Sequence, residues 1–104
     1  MMQKKIIAVI GGGVSGLAAA KAFDAQGHEV LGYERTHDFG GVWEVSRSYP
    51  GVQTQSPKDL YRFTDHPMPA DYPEWPNGPQ VHAYLHSYAA KHRLGRLFTL
   101  NTQV

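Results

Sequence analysis

Apolar residues fall into periodic stretches at the two ends of the chain, separated by a long middle with no period. Ile6, Ile7, Ala8, Val9 and Ile10 form an unbroken apolar run within residues 4–10. Such a run reads as a strand buried on both faces, the pattern of a central parallel strand covered by helices on each side. It should be the most buried strand. Residues 14–26 carry Leu17, Ala18, Ala20, Ala22, Phe23 and Ala25 beside Lys21, Asp24 and Gln26, a helix with a small-residue face that can pack closely on a sheet. Gly27 supplies its stop, and residues 28–34 give a second strand. Towards the other end, Val81, Tyr84, Leu85, Tyr88 and Ala89 sit at i, i+3, i+4, i+7 and i+8, one apolar stripe on a helix over 79–93 that Gly95 ends. Residues 97–104 alternate Phe98, Leu100, Thr102 and Val104 against Thr99, Asn101 and Gln103, the period of a third strand.

The middle, residues 36–77, contains six of the seven prolines and clusters of aromatics. Connections longer than about 12–15 residues tend to be functional or disordered, and the aromatic content argues for order. Ser56 and Pro57 suit the N-cap and first position of a short helix over 57–63, with Lys58 exposed in its first turn. Residues 66–79, with Pro67, Pro69, Pro73, Pro76 and Pro79, should run extended over the surface.

Between the first strand and first helix stand Gly11, Gly12, Gly13, Val14, Ser15 and Gly16. The spacing Gly11, Gly13, Gly16 is the GxGxxG fingerprint: the first glycine permits the sharp turn, the second lets backbone approach a pyrophosphate, and the third lets helix and strand touch. Glu34 follows Gly16 by 18 residues, at the end of the second strand, where a carboxylate can accept hydrogen bonds from ribose hydroxyls. Strand, turn, helix and distant acid together predict a dinucleotide site on a partial Rossmann-like α/β fold: three parallel strands in the order 3-2-1 with a long Pro/aromatic-rich connection.

At 104 residues the chain is one domain at most, burying only about 60–70% of its unfolded surface. Ten basic residues nearly cancel nine acidic ones, so no field suited to nucleic acid or an anionic membrane surface is expected. The absence of cysteine excludes thiolate metal sites, disulfides and thiol nucleophiles. No apolar run approaches the roughly 18 residues of a membrane span. A soluble, cytoplasmic protein is the resulting expectation.

Gly40, Gly41, Val42 and Trp43 come shortly after Glu34. Adjacent glycines let backbone pass close to a cofactor, and a tryptophan offers either a flat apolar surface to a ring system or a core residue. With this block and the fingerprint, residues 54–58, Asp65, Pro67, Met68, Pro69, Asp71, Tyr72, Pro73, the Tyr84 helix and Thr102, Gln103, Val104, the chain resembles the N-terminal part of the flavin-containing monooxygenases. That resemblance implies FAD as cofactor, with Gly11, Gly13, Val14, Ser15 and Gly16 around its pyrophosphate and Glu34 on the adenosine ribose; Arg35, next to Glu34, is either within reach of an adenosine phosphate or a solvated surface arginine. It also implies FAD contacts at Gly41, Val42 and Trp43, and adenine beside Val104. Gln55 occupies a position commonly held by asparagine near the reactive face of the flavin, which makes it the candidate catalytic residue.

A parent of this type uses NADPH and O2, forms a hydroperoxide at flavin C4a, and oxygenates nitrogen, sulfur or a ketone in a small-molecule substrate. Family members are several times longer and carry a second GxGxxG for NADPH, so residues 1–104 are expected to be an FAD-binding fragment without turnover of its own. Other FAD oxidoreductases and a non-enzymatic nucleotide module remain open. The free side of the Ile6 strand is an unpaired apolar edge, from which a homo-oligomer is expected. His82 and His86 have metal-ligand spacing on the polar side of their helix. With no third ligand apparent in the sequence, no metal site is expected.

Overall fold

The computed structural model describes residues 3–104. Strand β1 (Ile6–Ile10), helix α1 (Val14–Ala25) and strand β2 (Glu29–Tyr33) form the opening unit, and helix α2 (Gly78–Lys91) and strand β3 (Phe98–Thr99) close the chain. The strands of the sheet pair in parallel in the order β1-β2-β3, the expected 3-2-1 arrangement. Ile6 is opposite Glu29 and Ile10 opposite Tyr33, while β3 pairs only through Phe98 with Gly32 and Thr99 with Tyr33.

The core lies on one side of this sheet. Val9, Gly32 and Phe98 lie in one row across it, and against that face pack Leu17 and Ala20 of α1, Phe39, and the stripe Val81, Tyr84, Leu85, Tyr88, Ala89 of α2. Gly32 makes the row possible: a Cβ there would lie 2.6 Å from the Phe98 ring. Phe98 in turn meets Phe39 edge to face, with centroids 5.4 Å apart. Among the described residues, none covers the opposite face. Ile6 and Ile10 are 68% and 60% exposed and Leu31 is 39% exposed, so β1 is an exposed edge strand rather than the most buried one. Its apolar residues fit a sheet with two covered faces, but the elements here supply a single helical layer. The thinnest dimension of the molecule, 19 Å, is that of two layers.

Three further expectations give way. The 57–63 helix is a single turn, in which Leu60 and Tyr61 N–H both donate to the Pro57 carbonyl. The Lys58 N–H, which a helix start leaves free in any case, donates to Glu74 O, and its Nζ donates to Ala70 O and Tyr72 O at 2.9 and 2.7 Å. Lys58 thereby ties the two arms of the proline-rich connection together instead of facing solvent. Helix α2 begins one residue early because Asn77 and Gln80 form a reciprocal capping box. It ends before Gly95, with Arg93 taking the left-handed conformation at φ 56°. Finally, β3 stops after two residues. Asn101, at φ 53°, turns the chain back so that its N–H reaches Thr36 O and that of Thr102 reaches Glu34 O.

Candidate functional site

The glycine turn is built by close approach. Gly11 has φ +100°, and a Cβ on Gly16 would lie 1.8 Å from the Gly11 carbonyl oxygen, so α1 rests directly on the end of β1. Gly13 is the N-cap of α1, with no side chain to cap the helix and no acid in its first turn. The N–H groups of Val14, Ser15 and Gly16 have no preceding helical turn to accept them. They and the helix dipole face a groove of about 370 Å³ whose walls include Gly11, Gly13, Gly41, Val42 and Trp43. Gly13 and Gly41 face one another, a Cβ on Gly41 coming within 3.1 Å of Gly13 Cα. Gly40 N–H donates to Gly12 O, which fixes the second glycine pair against the first. The result is a concave, uncharged backbone surface rich in unused donors, the chemistry that receives a diphosphate.

Two further grooves continue it. One, about 330 Å³, shares Ile10, Gly11, Gly13 and Gly41 with the first and adds Glu34, Arg35, Arg47, Thr102, Gln103 and Val104. Glu34 is only 3% exposed. Its Oε1 accepts the Gly12 N–H at 2.8 Å and its Oε2 the Thr36 N–H at 2.7 Å, leaving lone-pair capacity on each oxygen. Burial, the largest influence, pushes its pKa up; hydrogen bonds from Thr36 and Gly12 and the charge of Arg47 together outweigh it, so Glu34 stays below the ordinary carboxylate range. The other groove, about 470 Å³, shares Val42, Trp43 and Tyr61 with the first and adds Arg47, Tyr49 and Gln53–Ser56. The residues expected to contact the cofactor, with Gln55, thus line three grooves that share walls, from Arg35 and Val104 at one end to Gln55 at the other.

Two details depart from expectation. Trp43 is 8% exposed, packed edge to face on Tyr61 and donating its Nε1–H to the Tyr61 hydroxyl at 2.9 Å. It is a core wall at the junction of the grooves, and the exposed surface beside it belongs to Val42. Sequence reasoning also missed Arg47, the side chain common to the Glu34 and Gln55 grooves. The only signal for it was its position shortly after the Gly-Gly-x-Trp block.

Behind Gly40, away from the cleft, the expectation for His82 and His86 changes. Asp38 lies between them, its Oδ2 3.0 Å from His82 Nε2 and its Oδ1 2.7 Å from His86 Nε2. Nearby Glu44, 1% exposed, accepts from the Ser46 hydroxyl and faces His37 Nε2 at 3.6 Å. The Ser46 hydroxyl does most to hold its pKa below the ordinary carboxylate value, while the charge of Asp38 works the other way. His66 is elsewhere, bonded to Ser87 and stacked on Tyr84.

Comparison with known proteins agrees with this geometry. The chain is 37% identical to human (Homo sapiens) flavin-containing monooxygenase 5 over 99% of its length, which is 21% of that protein. Its structure superposes on NADP+-bound cyclohexanone monooxygenase from Rhodococcus sp. Phi1 with a TM-score of 0.81, at 30% identity over 98% of this chain and 20% of that one. It superposes on an oxidised steroid monooxygenase bound to NADP with a TM-score of 0.85, at 26% identity over 98% of this chain and 20% of the other. The chain therefore spans about a fifth of the length of these relatives. Residues 3–104 match the family described as flavin-binding monooxygenase-like, and with the glycine turn, the buried acid and the Gly-Gly-x-Trp wall in one cleft, the chain belongs to that family.

Proposed function

We propose that residues 1–104 hold the adenosine diphosphate part of FAD for a flavin-dependent, NADPH-using monooxygenase acting on soft nitrogen or sulfur nucleophiles or on ketones. The observation that carries this reading is the uncapped start of α1, whose Val14, Ser15 and Gly16 N–H groups face a groove walled by Gly13 and Gly41. Any side chain at Gly16 is excluded and one at Gly13 or Gly41 is crowded by the facing glycine, so the cradle is fitted to a ligand that touches backbone.

In this reading the pyrophosphate rests on those amides, and Glu34, fixed by two backbone donors, uses its remaining lone pairs for the ribose hydroxyls. Its charge is retained at neutral pH because its pKa is held low. Arg35 and Arg47 flank that groove and offset the carboxylate and phosphate charge, and Val104 borders the adenine. Val42 and Trp43 form the wall past which the ligand continues, and Gln55, exposed on the rim beyond, presents an amide to the ring system. Bound flavin supplies hydride acceptance and oxygen activation; the chain's own part is to bind, orient and exclude water. The isolated 104 residues are proposed to have no NADPH-dependent turnover, because a single fingerprint serves a single dinucleotide.

The test is a visible spectrum of the desalted protein followed by titration with FAD, ADP and NAD+. Retained or titratable FAD, displaced by ADP, supports the assignment. Preference for NAD+ over FAD, or no FAD binding by a chain shown folded by circular dichroism, overturns it.

A further inference from the structure

The cluster behind Gly40 has a feature that a hydrogen-bonded ion pair does not explain. Asp38 comes from the loop that carries Gly40 and Gly41, and His82 and His86 come from successive turns of α2, yet their ligand atoms all lie within 4.8 Å of one another. His82 Nε2 hydrogen-bonds Asp38 Oδ2. His86 Nε2 is shut off from solvent and lies 2.7 Å from Asp38 Oδ1 without forming a hydrogen bond to it. A second polar atom close by is in the same state: Oε1 of buried Glu44 has no hydrogen-bond partner. Gly40 packs tightly between His82 and the Glu44 backbone: a Cβ there would come within 3.0 Å of His82 Cδ2 and 3.1 Å of Glu44 N. Among the described residues only Asp38, His82 and His86 bring their ligand atoms together; Glu44 Oε1 faces His37 Nε2 at 3.6 Å instead.

We propose that Asp38, His82 and His86 bind a divalent cation of the borderline class, such as Zn2+. Two imidazole nitrogens and one carboxylate oxygen suit that class over Mg2+ or Ca2+, which prefer all-oxygen shells. Donors on a tetrahedral ion with bonds of about 2.0–2.1 Å are about 3.4 Å apart. The present 2.7 and 3.0 Å nitrogen–oxygen separations need only small side-chain rotations to open to that edge. Asp38 is already oriented for it, since its Oδ1 accepts the Phe39 N–H at 2.8 Å and its backbone is held by Thr36 Oγ1. An ion here clamps to α2 the loop whose Gly40 and Gly41, two and three residues after Asp38, line the cleft.

The experiment is isothermal titration of the 104-residue protein with ZnCl2, paired with the visible spectrum of the Co2+ adduct, in the absence of FAD so that it reads independently of the flavin assignment. One equivalent of Zn2+ and a Co2+ ligand-field band are expected. His86→Ala and Asp38→Asn should each weaken binding by more than about 100-fold, beyond the loss expected for an outer-shell partner. His86→Ala also removes an edge contact with Phe39, so circular dichroism and the Tm of each variant accompany the titration to separate loss of the site from loss of the fold. His92→Ala, which removes a histidine paired with Asp65, should leave binding unchanged. Wild-type affinity no greater than that of His86→Ala, or loss of binding in His92→Ala instead, overturns the proposal.

Discussion

Two single residues decide whether the cleft exists and how it responds to pH. Gly16 is the tighter case, because its missing Cβ is replaced in space by the Gly11 carbonyl at 1.8 Å. Backbone cannot yield as a flexible side chain does, so Gly16→Ala must push α1 off β1, at about 1–3 kcal/mol or more for overpacking. Loss of FAD binding together with a lower Tm is expected by fluorescence titration and thermal melting; wild-type affinity in the variant would disprove this packing argument. Glu34 acts through charge. A carboxyl held below its unfolded pKa binds fewer protons folded than unfolded. Its contribution is therefore complete above the ordinary glutamate range and is lost as pH falls through its folded value. Glu34→Gln keeps the shape, leaves one of the Gly12 and Thr36 N–H groups without an acceptor, and cannot titrate. The variant should melt lower than wild type at pH 7, and the gap should narrow between about pH 6 and pH 3. An equal gap at both ends would mean that Glu34 serves only as a hydrogen-bond acceptor.

At the scale of elements, β3 is held by shape rather than by length. Only two of its residues pair, and its anchor is Phe98 lying over Gly32 and meeting Phe39. Gly32→Ala should expel that ring and cost about 1–3 kcal/mol, and Phe98→Leu in the same chain should recover part of the loss because the two sites share one space. Additive losses in a double-mutant cycle would show that they do not. Elements with local causes were readable from the sequence: the run in β1, the fingerprint turn, the stripe of α2 and the parallel order all stand. Long-range closures were not. The two residues of β3 read as a full strand because Thr102 and Val104 continue the alternation, while the turn at Asn101 that breaks it depends on the Thr36 and Glu34 carbonyls. Lys58 reads as a solvent residue because nothing local shows that Ala70 and Tyr72 carbonyls await it. Asp38 likewise stands 44 residues before His82, a separation over which spacing carries no metal-ligand signal.

For the whole molecule, the unbalanced layer dominates. α1 and α2 cover a single face of the sheet, so Ile6, Ala8, Ile10 and Leu31 present an apolar face that meets water at the open edge of β1. Apolar patches beside an unpaired parallel edge favour strand-to-strand association. We propose that the isolated chain self-associates through this edge, and that in proteins of the length of its relatives the remaining four-fifths supplies the cover. Ile6 is the position at which to test it, since it is 68% exposed and absent from the cleft walls, whereas Ile10 lines them. Ile6→Lys removes no buried contact and should alter the Tm little, while a charge on the edge opposes pairing with a second copy. Sedimentation velocity across a concentration series should show wild type shifting to larger species and the variant remaining at 11.6 kDa. Both chains monomeric at the highest concentration would overturn the association, and the exposed apolar face of β1 would then be tolerated in a single chain.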